Sequence, residues 1–323
     1  MRGSAASCDC PTTRFRWTGP APFTLKHVAM RLVALLLSIL LIVPAVAAEA
    51  SILDILQGVA KETAKPKAKP APRRVPATRR PIVLPPIEGT KVKGRPLVVI
   101  DPGHGGHDPG APSADGKRRE KEAALAIGRA IRDELVRSGR VRVALTRDSD
   151  TFLVLGDRRE IARRLGADLF ISIHADSAPS ATAHGATIYT LSDVSSDRVA
   201  AQLAAKENRA DILNGVDLGG ENDDVSSILV DLAQRETMNI SSVFANLLQR
   251  ELSPLINFRS TFHKFAGFVV LKAPDVPSLL LETGYMSNAE DEALLFSKDY
   301  QKKIATGIRR AVEVHFARRL AGA

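Results

Sequence analysis

Cysteine is almost missing from this 323-residue chain. The two present, Cys8 and Cys10, sit in the first ten residues. They cannot by themselves make a disulfide framework or a zinc ribbon. A chain that loses them on processing has no thiol to misoxidise outside the cytoplasm. A membrane-spanning run is missing as well. The one strongly apolar stretch lies within residues 30–50, MRLVALLLSILLIVPAVAAEA. It falls short of the roughly 20 apolar residues that cross a bilayer. Arg31 precedes its Leu, Ile and Val, and Ala45, Val46 and Ala47 follow them. That is the layout of a cleaved secretory signal peptide. Residues 1–48 are therefore read as a signal, with Met30 as the true start. The expected location is the periplasm, with no stable membrane span after cleavage. No internal repeat is visible.

An even spread of charge is also absent. The formal charge is +9, yet residues 61–96 carry eleven Lys/Arg against two Asp/Glu. Residues 97–323 carry 29 basic and 31 acidic residues, so the globular part is nearly neutral. A basic segment looks for an anionic neighbour or simply repels itself into a solvated linker. Residues 49–96 are read as that linker. They are rich in Pro, Lys, Arg and Ala and lack the apolar periodicity that would offset the entropy of ordering them. Nucleic acid is not expected as a partner.

From Leu97 the texture changes. Apolar runs of strand length occur at 97–100, 141–145, 169–173, 186–191, 268–271 and 279–281. Helical spacing appears over 120–136, 156–165 and 290–318, and across a long region, 195–252, broken by glycines at 215–220. Alternating strands and helices point to an α/β domain at 97–320. Continuous apolar runs fit a mostly parallel sheet covered by helices on both faces, with 195–252 as a long helical insertion.

Three side chains with acid–base or ligand chemistry share one address. His104, His174 and Glu282 each follow a strand-like run, and ligand sites in open α/β sheets gather beyond the carboxyl ends of strands. Glu120 opens the helix after the first of those strands. Two His and one carboxylate are a common three-ligand set for catalytic zinc, leaving a position for water. A separate carboxylate must then move protons, and Glu282 suits that role. Glu122 is the rival to Glu120 but points to another helix face. His107 reads as a loop residue, and His184, His263 and His315 as surface or structural histidines. Asp101 fits either a partner for a ligand His or a turn cap. Arg158 fits a structural ion pair.

Four ordered strings sharpen this: VVIDPGHGG at 98–106, REK at 119–121, LFISIHAD at 169–176 and APDVPSLLLETGYMSN at 273–288. Together they resemble the zinc-dependent N-acetylmuramoyl-L-alanine amidases of the amidase-3 family. The resemblance covers about 97–318. It implies Zn2+ held by His104, Glu120 and His174, with Glu282 as the catalytic glutamate. The implied substrate is peptidoglycan, cut between N-acetylmuramic acid and L-alanine of the stem peptide. The insertion at 195–252 resembles that of amidases which split the septal wall. In those relatives a helix here plugs the site until a LytM-domain activator displaces it. By that analogy Glu207 caps the metal. No β-rich wall-targeting domain precedes the catalytic domain, unlike many such relatives. A non-catalytic wall-binding protein and a zinc peptidase acting within the stem peptide are the alternatives.

Overall fold

Valine, isoleucine and leucine dominate the runs after Leu97, and their alternate side chains must be buried on opposite sides of a sheet. A computed structural model of the chain describes residues 81–92, 94–211 and 227–322. The signal segment, Cys8, Cys10, the linker up to residue 80 and the glycine break at 215–220 lie outside the described residues.

The elements run β1 (Glu88–Gly89), β2 (Leu97–Pro102), α1 (Glu120–Ser138), β3 (Arg142–Leu145), α2 (Leu155–Leu165), β4 (Leu169–His174), β5 (Ala186–Leu191), α3 (Arg198–Asn208), α4 (Ser227–Leu252), β6 (Phe258–Ala266), β7 (Ser278–Glu282), α5 (Ala289–Leu295) and α6 (Lys298–Leu320). The seven strands form one sheet in the order β1-β3-β2-β4-β7-β5-β6. Four of its six pairings are parallel; β1 with β3 and β5 with β7 run antiparallel. The fold is α/β, as expected.

Val98, Ile100, Ile171 and Leu281 point to one side, where they pack with Ile127 and Ile131 of α1, Phe244 and Leu248 of α4, and Ile308 and Val312 of α6. Leu97, Val99, Phe170 and Leu280 point to the other, against Ala162 of α2 and Leu203 of α3. Burial on both faces is what removes the alternation of polar residues from these strands.

Four details differ from the expected elements. Val269–Leu271 is a turn of 3-10 helix and not a strand, with Val270 and Leu271 buried in the second cluster. A short apolar run satisfies either conformation, and only packing decides. The strand beside it, β6, has a half-exposed and charged sequence, FRSTFHKFA, that carries no strand period. The region 195–252 holds two helices, and 290–318 holds two with a break at Phe296 and Ser297. Glu88 and Gly89, within the stretch read as linker, pair with Val143 and Arg142.

Candidate active site

The parallel register sets the first alignment. His174 ends β4 directly beside Glu282, which ends β7. Pro102 ends β2 beside Ile173. The loop after Pro102 therefore leaves the sheet next to His174. Gly103 is required there, because a Cβ at that position would lie 2.4 Å from His174 Cε1.

His104 stands in the left-handed backbone region, with φ of 59°. That conformation costs a non-glycine residue on the order of 1–2 kcal/mol. Buried arginines hold it. Arg158 donates to the carbonyls of Pro102 (2.8 Å) and His104 (2.6 Å), and Arg147 to those of Pro102 (2.9 Å) and Gly103 (2.6 Å). Asp101 anchors Arg158 at 2.9 Å and accepts from Thr146 and Ser172. Burial would raise its carboxyl; Arg158 and the two hydroxyls hold it below the usual range. Asp101 thus steadies the loop through Arg158, as an ion-pair partner, and does not touch a histidine. The residue that orients His104 is Asp108, whose Oδ2 lies 2.9 Å from Nδ1. That directs Nε2 into the site.

Four side chains converge. Glu120, the first residue of α1, places Oε1 3.0 Å from His104 Nε2 and 3.1 Å from His174 Nδ1. Its oxygens also accept the backbone N–H groups of Ala175 (2.9 Å, to Oε1) and Ala111 (2.8 Å, to Oε2). Glu207 on α3 puts Oε2 3.6 Å from His104 Nε2 and 3.4 Å from His174 Nδ1. His104, His174 and Glu207 are all buried, with ligand atoms within 4.8 Å of one another. Glu122 turns away and caps α1 by accepting from the Arg119 backbone N–H.

The electrostatics ask for a cation. Burial would push the His104 imidazole down, but the neighbouring Glu120, Glu207 and Asp108 carry it well above its ordinary value. Burial would likewise raise Glu120; the two imidazoles hold it well below. Glu282 goes the other way, driven well above the usual range by burial and then by the charges of Glu120 and Asp176. Asp176 is pushed up to about 6, by burial first and Glu120 next. Three buried polar atoms here have no hydrogen-bond partner: His104 Nε2, Glu207 Oε1 and Glu282 Oε1. Donors of a four-coordinate zinc, each about 2 Å from the metal, sit roughly 3.3 Å apart. The observed separations of 3.0 to 3.6 Å and the orphaned His104 Nε2 fit that ion.

The remaining histidines among the described residues stay outside. His107 packs on Phe152, His184 meets the Thr182 carbonyl, His263 meets Thr190, and His315 lies between Phe244 and Phe316. Sequence reasoning missed Asp108, Arg147 and Asp176. The i, i+4 spacing of His104 and Asp108 and the two-residue step from His174 to Asp176 were the available signals.

The family description N-acetylmuramoyl-L-alanine amidase (Amidase_3) matches residues 98–314. The amidase AmiA of Escherichia coli K12 is 40% identical over 227 residues, 70% of this chain and 78% of that protein. An AmiC from Escherichia coli O6:H1 is 36% identical over 72% of this chain and 56% of its own length. The solved catalytic domain of CwlV, an N-acetylmuramoyl-L-alanine amidase from Bacillus (Paenibacillus) polymyxa, aligns with TM-score 0.52 and 28% identity. It covers 69% of this chain and 98% of that domain. The chain belongs to the Amidase_3 family of N-acetylmuramoyl-L-alanine amidases, and is an amide hydrolase.

Proposed function

We propose that this protein is an exported, zinc-dependent amidase that hydrolyses the bond between N-acetylmuramic acid and L-alanine in peptidoglycan. One observation carries the proposal: Glu120 Oε1 lies 3.0 Å from His104 Nε2 and 3.1 Å from His174 Nδ1, and His174 ends its strand beside Glu282, whose Oε1 is buried and unpaired. His104, His174 and Glu120 would hold the ion. Zinc there would polarise the scissile carbonyl and make a water acidic near neutral pH. The chain's own residues supply the rest. Asp108 keeps His104 in the tautomer that leaves Nε2 unprotonated. The Asp176 N–H holds Glu282 Oε2 at 2.9 Å, leaving Oε1 to take a proton and return it to the leaving nitrogen. Raised proton affinity suits a carboxylate that must both accept and donate.

The space over the imidazoles, bordered by His104, His174 and Glu207, is about 10 Å3. That is about one water and no peptide. The end of α3 is tied down around Glu207. Lys206 pairs with Asp176, Asn208 bonds Gly267 and Val269, and Asp211 accepts the Leu155 N–H. These contacts support Glu207 as a cap on the metal site in the resting enzyme. By resemblance, a LytM-domain activator would withdraw α3 at the division septum.

Purified protein with zinc should release from sacculi peptides that begin with L-alanine, read by mass spectrometry. Glu282→Gln should cut that release by about 100- to 10,000-fold while the protein stays folded. Peptides beginning at any other residue would establish a different bond as the target. Equal rates in wild type and variant would remove Glu282 from the chemistry.

A further inference from the structure

A second cavity, of about 170 Å3, opens beside the catalytic glutamate. One end is Asp176, whose N–H is bonded to Glu282. Its walls include Tyr189, Leu203, Lys206, Arg259 and Tyr285. Two cations line it, and their situations differ. The charge of Lys206 is matched by Asp176. Arg259 has no carboxylate within ion-pair distance among the described residues. Its guanidinium lies over the Tyr285 ring, 5.5 Å from the centroid. The guanidinium also hydrogen-bonds the Tyr285 side chain; stacking stabilises the cation and leaves its remaining edge N–H groups to face a ligand.

The backbone has a device that puts Arg259 there. Phe258 pairs with Ala186, but the next registered pair is His263 with Ile188. Five steps along β6 therefore match two along β5, and the excess residues bulge from the edge immediately after Phe258. Bulges re-aim side chains and recur beside active sites. The edge strand gives up regular pairing at the residue that lines this cavity.

We propose that Arg259 is a specificity-determining residue that receives a carboxylate of the stem peptide on the L-alanine side of the scissile bond. This rests on the amidase function proposed above. A guanidinium without a carboxylate partner, set between Tyr189 of β5 and Tyr285 just after β7, neither of them on the capping helix, suits one short acidic side group. A glycan would bring many hydroxyls, and these walls give them few partners. The planar fork of Arg binds a carboxylate through two parallel hydrogen bonds.

The test uses two soluble substrates: an N-acetylmuramoyl-L-alanyl peptide whose second residue has a free carboxylate, and the same peptide with that group converted to a carboxamide. Steady-state kinetics are measured with zinc in the Glu207→Ala background, so that the cap does not mask turnover. The parent should prefer the acid by about 10- to 100-fold in kcat/KM, the scale of one charged hydrogen-bonded pair. Arg259→Gln should erase the preference, chiefly through KM, and leave the carboxamide rate nearly unchanged. Arg259→Lys should keep part of it. Equal cleavage of both substrates by the parent overturns the assignment. So does an equal fall on both in Arg259→Gln, which would mark a merely structural residue. If neither peptide nor sacculi are cut by the parent, the amidase function itself falls and this inference with it.

Discussion

At the scale of single residues the site depends on what cannot be added as much as on what is present. Gly103 lies against the His174 ring, so Gly103→Ala should displace that ring while the sheet stays intact. Zinc content by atomic absorption should fall at least tenfold, with far-UV circular dichroism unchanged. Glu207 is the opposite case, a side chain whose removal should help. Glu207→Ala should raise basal release of stem peptides from sacculi severalfold; an unchanged or lower rate in folded protein would count against the cap. His104, Glu120, His174 and Glu282 were legible because strand ends and local strings mark them. Asp108, Arg147 and Arg259 were not, because their roles come from loop paths and a bulge that no period in the sequence records. Arg158 was half legible: a structural ion pair was expected, but neither Asp101 as its partner nor the carbonyls it supports.

Among elements, the buried strands declared themselves through unbroken apolar runs, and the helices through their spacing. Phe268–Leu271 misled because a few buried apolar residues serve a 3-10 turn as well as a strand. The β6 edge escaped because solvent on one side leaves its composition mixed. Helix α6 carries a separate and testable burden. His315 is buried between Phe244 and Phe316, and its Nε2 has no partner. Burial, with Arg319 adding to it against a small opposing pull from Asp168, pushes the imidazole down to about 4. The folded value lies below that of the unfolded chain, near 6.5. The unfolded state therefore binds more protons between those values. Stability is full above about 6.5 and drains away as pH falls towards 4. The loss between pH 7.5 and pH 5 should be about 2 kcal/mol from this group. Urea midpoints should record it, and His315→Phe should flatten that part of the profile.

At the scale of the whole molecule, charge is out of balance in the site, where Asp108, Glu120, Asp176, Glu207 and Glu282 gather around two imidazoles and Lys206. A divalent ion offsets that charge, so it should stabilise the fold as well as serve the reaction. At a hundredfold excess over its Kd, a ligand adds about 2.7 kcal/mol. For a domain of this size, stripping zinc with dipicolinate should lower Tm by roughly 5–10 °C. Readdition should restore it. A variant carrying His104→Ala and Glu120→Gln should melt at one temperature with or without zinc.

The side-by-side register of His174 and Glu282 has a consequence for which mutations the gene tolerates. Substitutions at the apolar positions of β4 and β7 change only what fills the core. A codon gained or lost upstream within either strand is different in kind, because it rotates every later side chain to the opposite side of the sheet. One extra codon in β7 would turn the glutamate from the side it shares with Leu280 to the side of Leu281, out of step with its histidine neighbour. Length in these two segments is under tighter control than spelling.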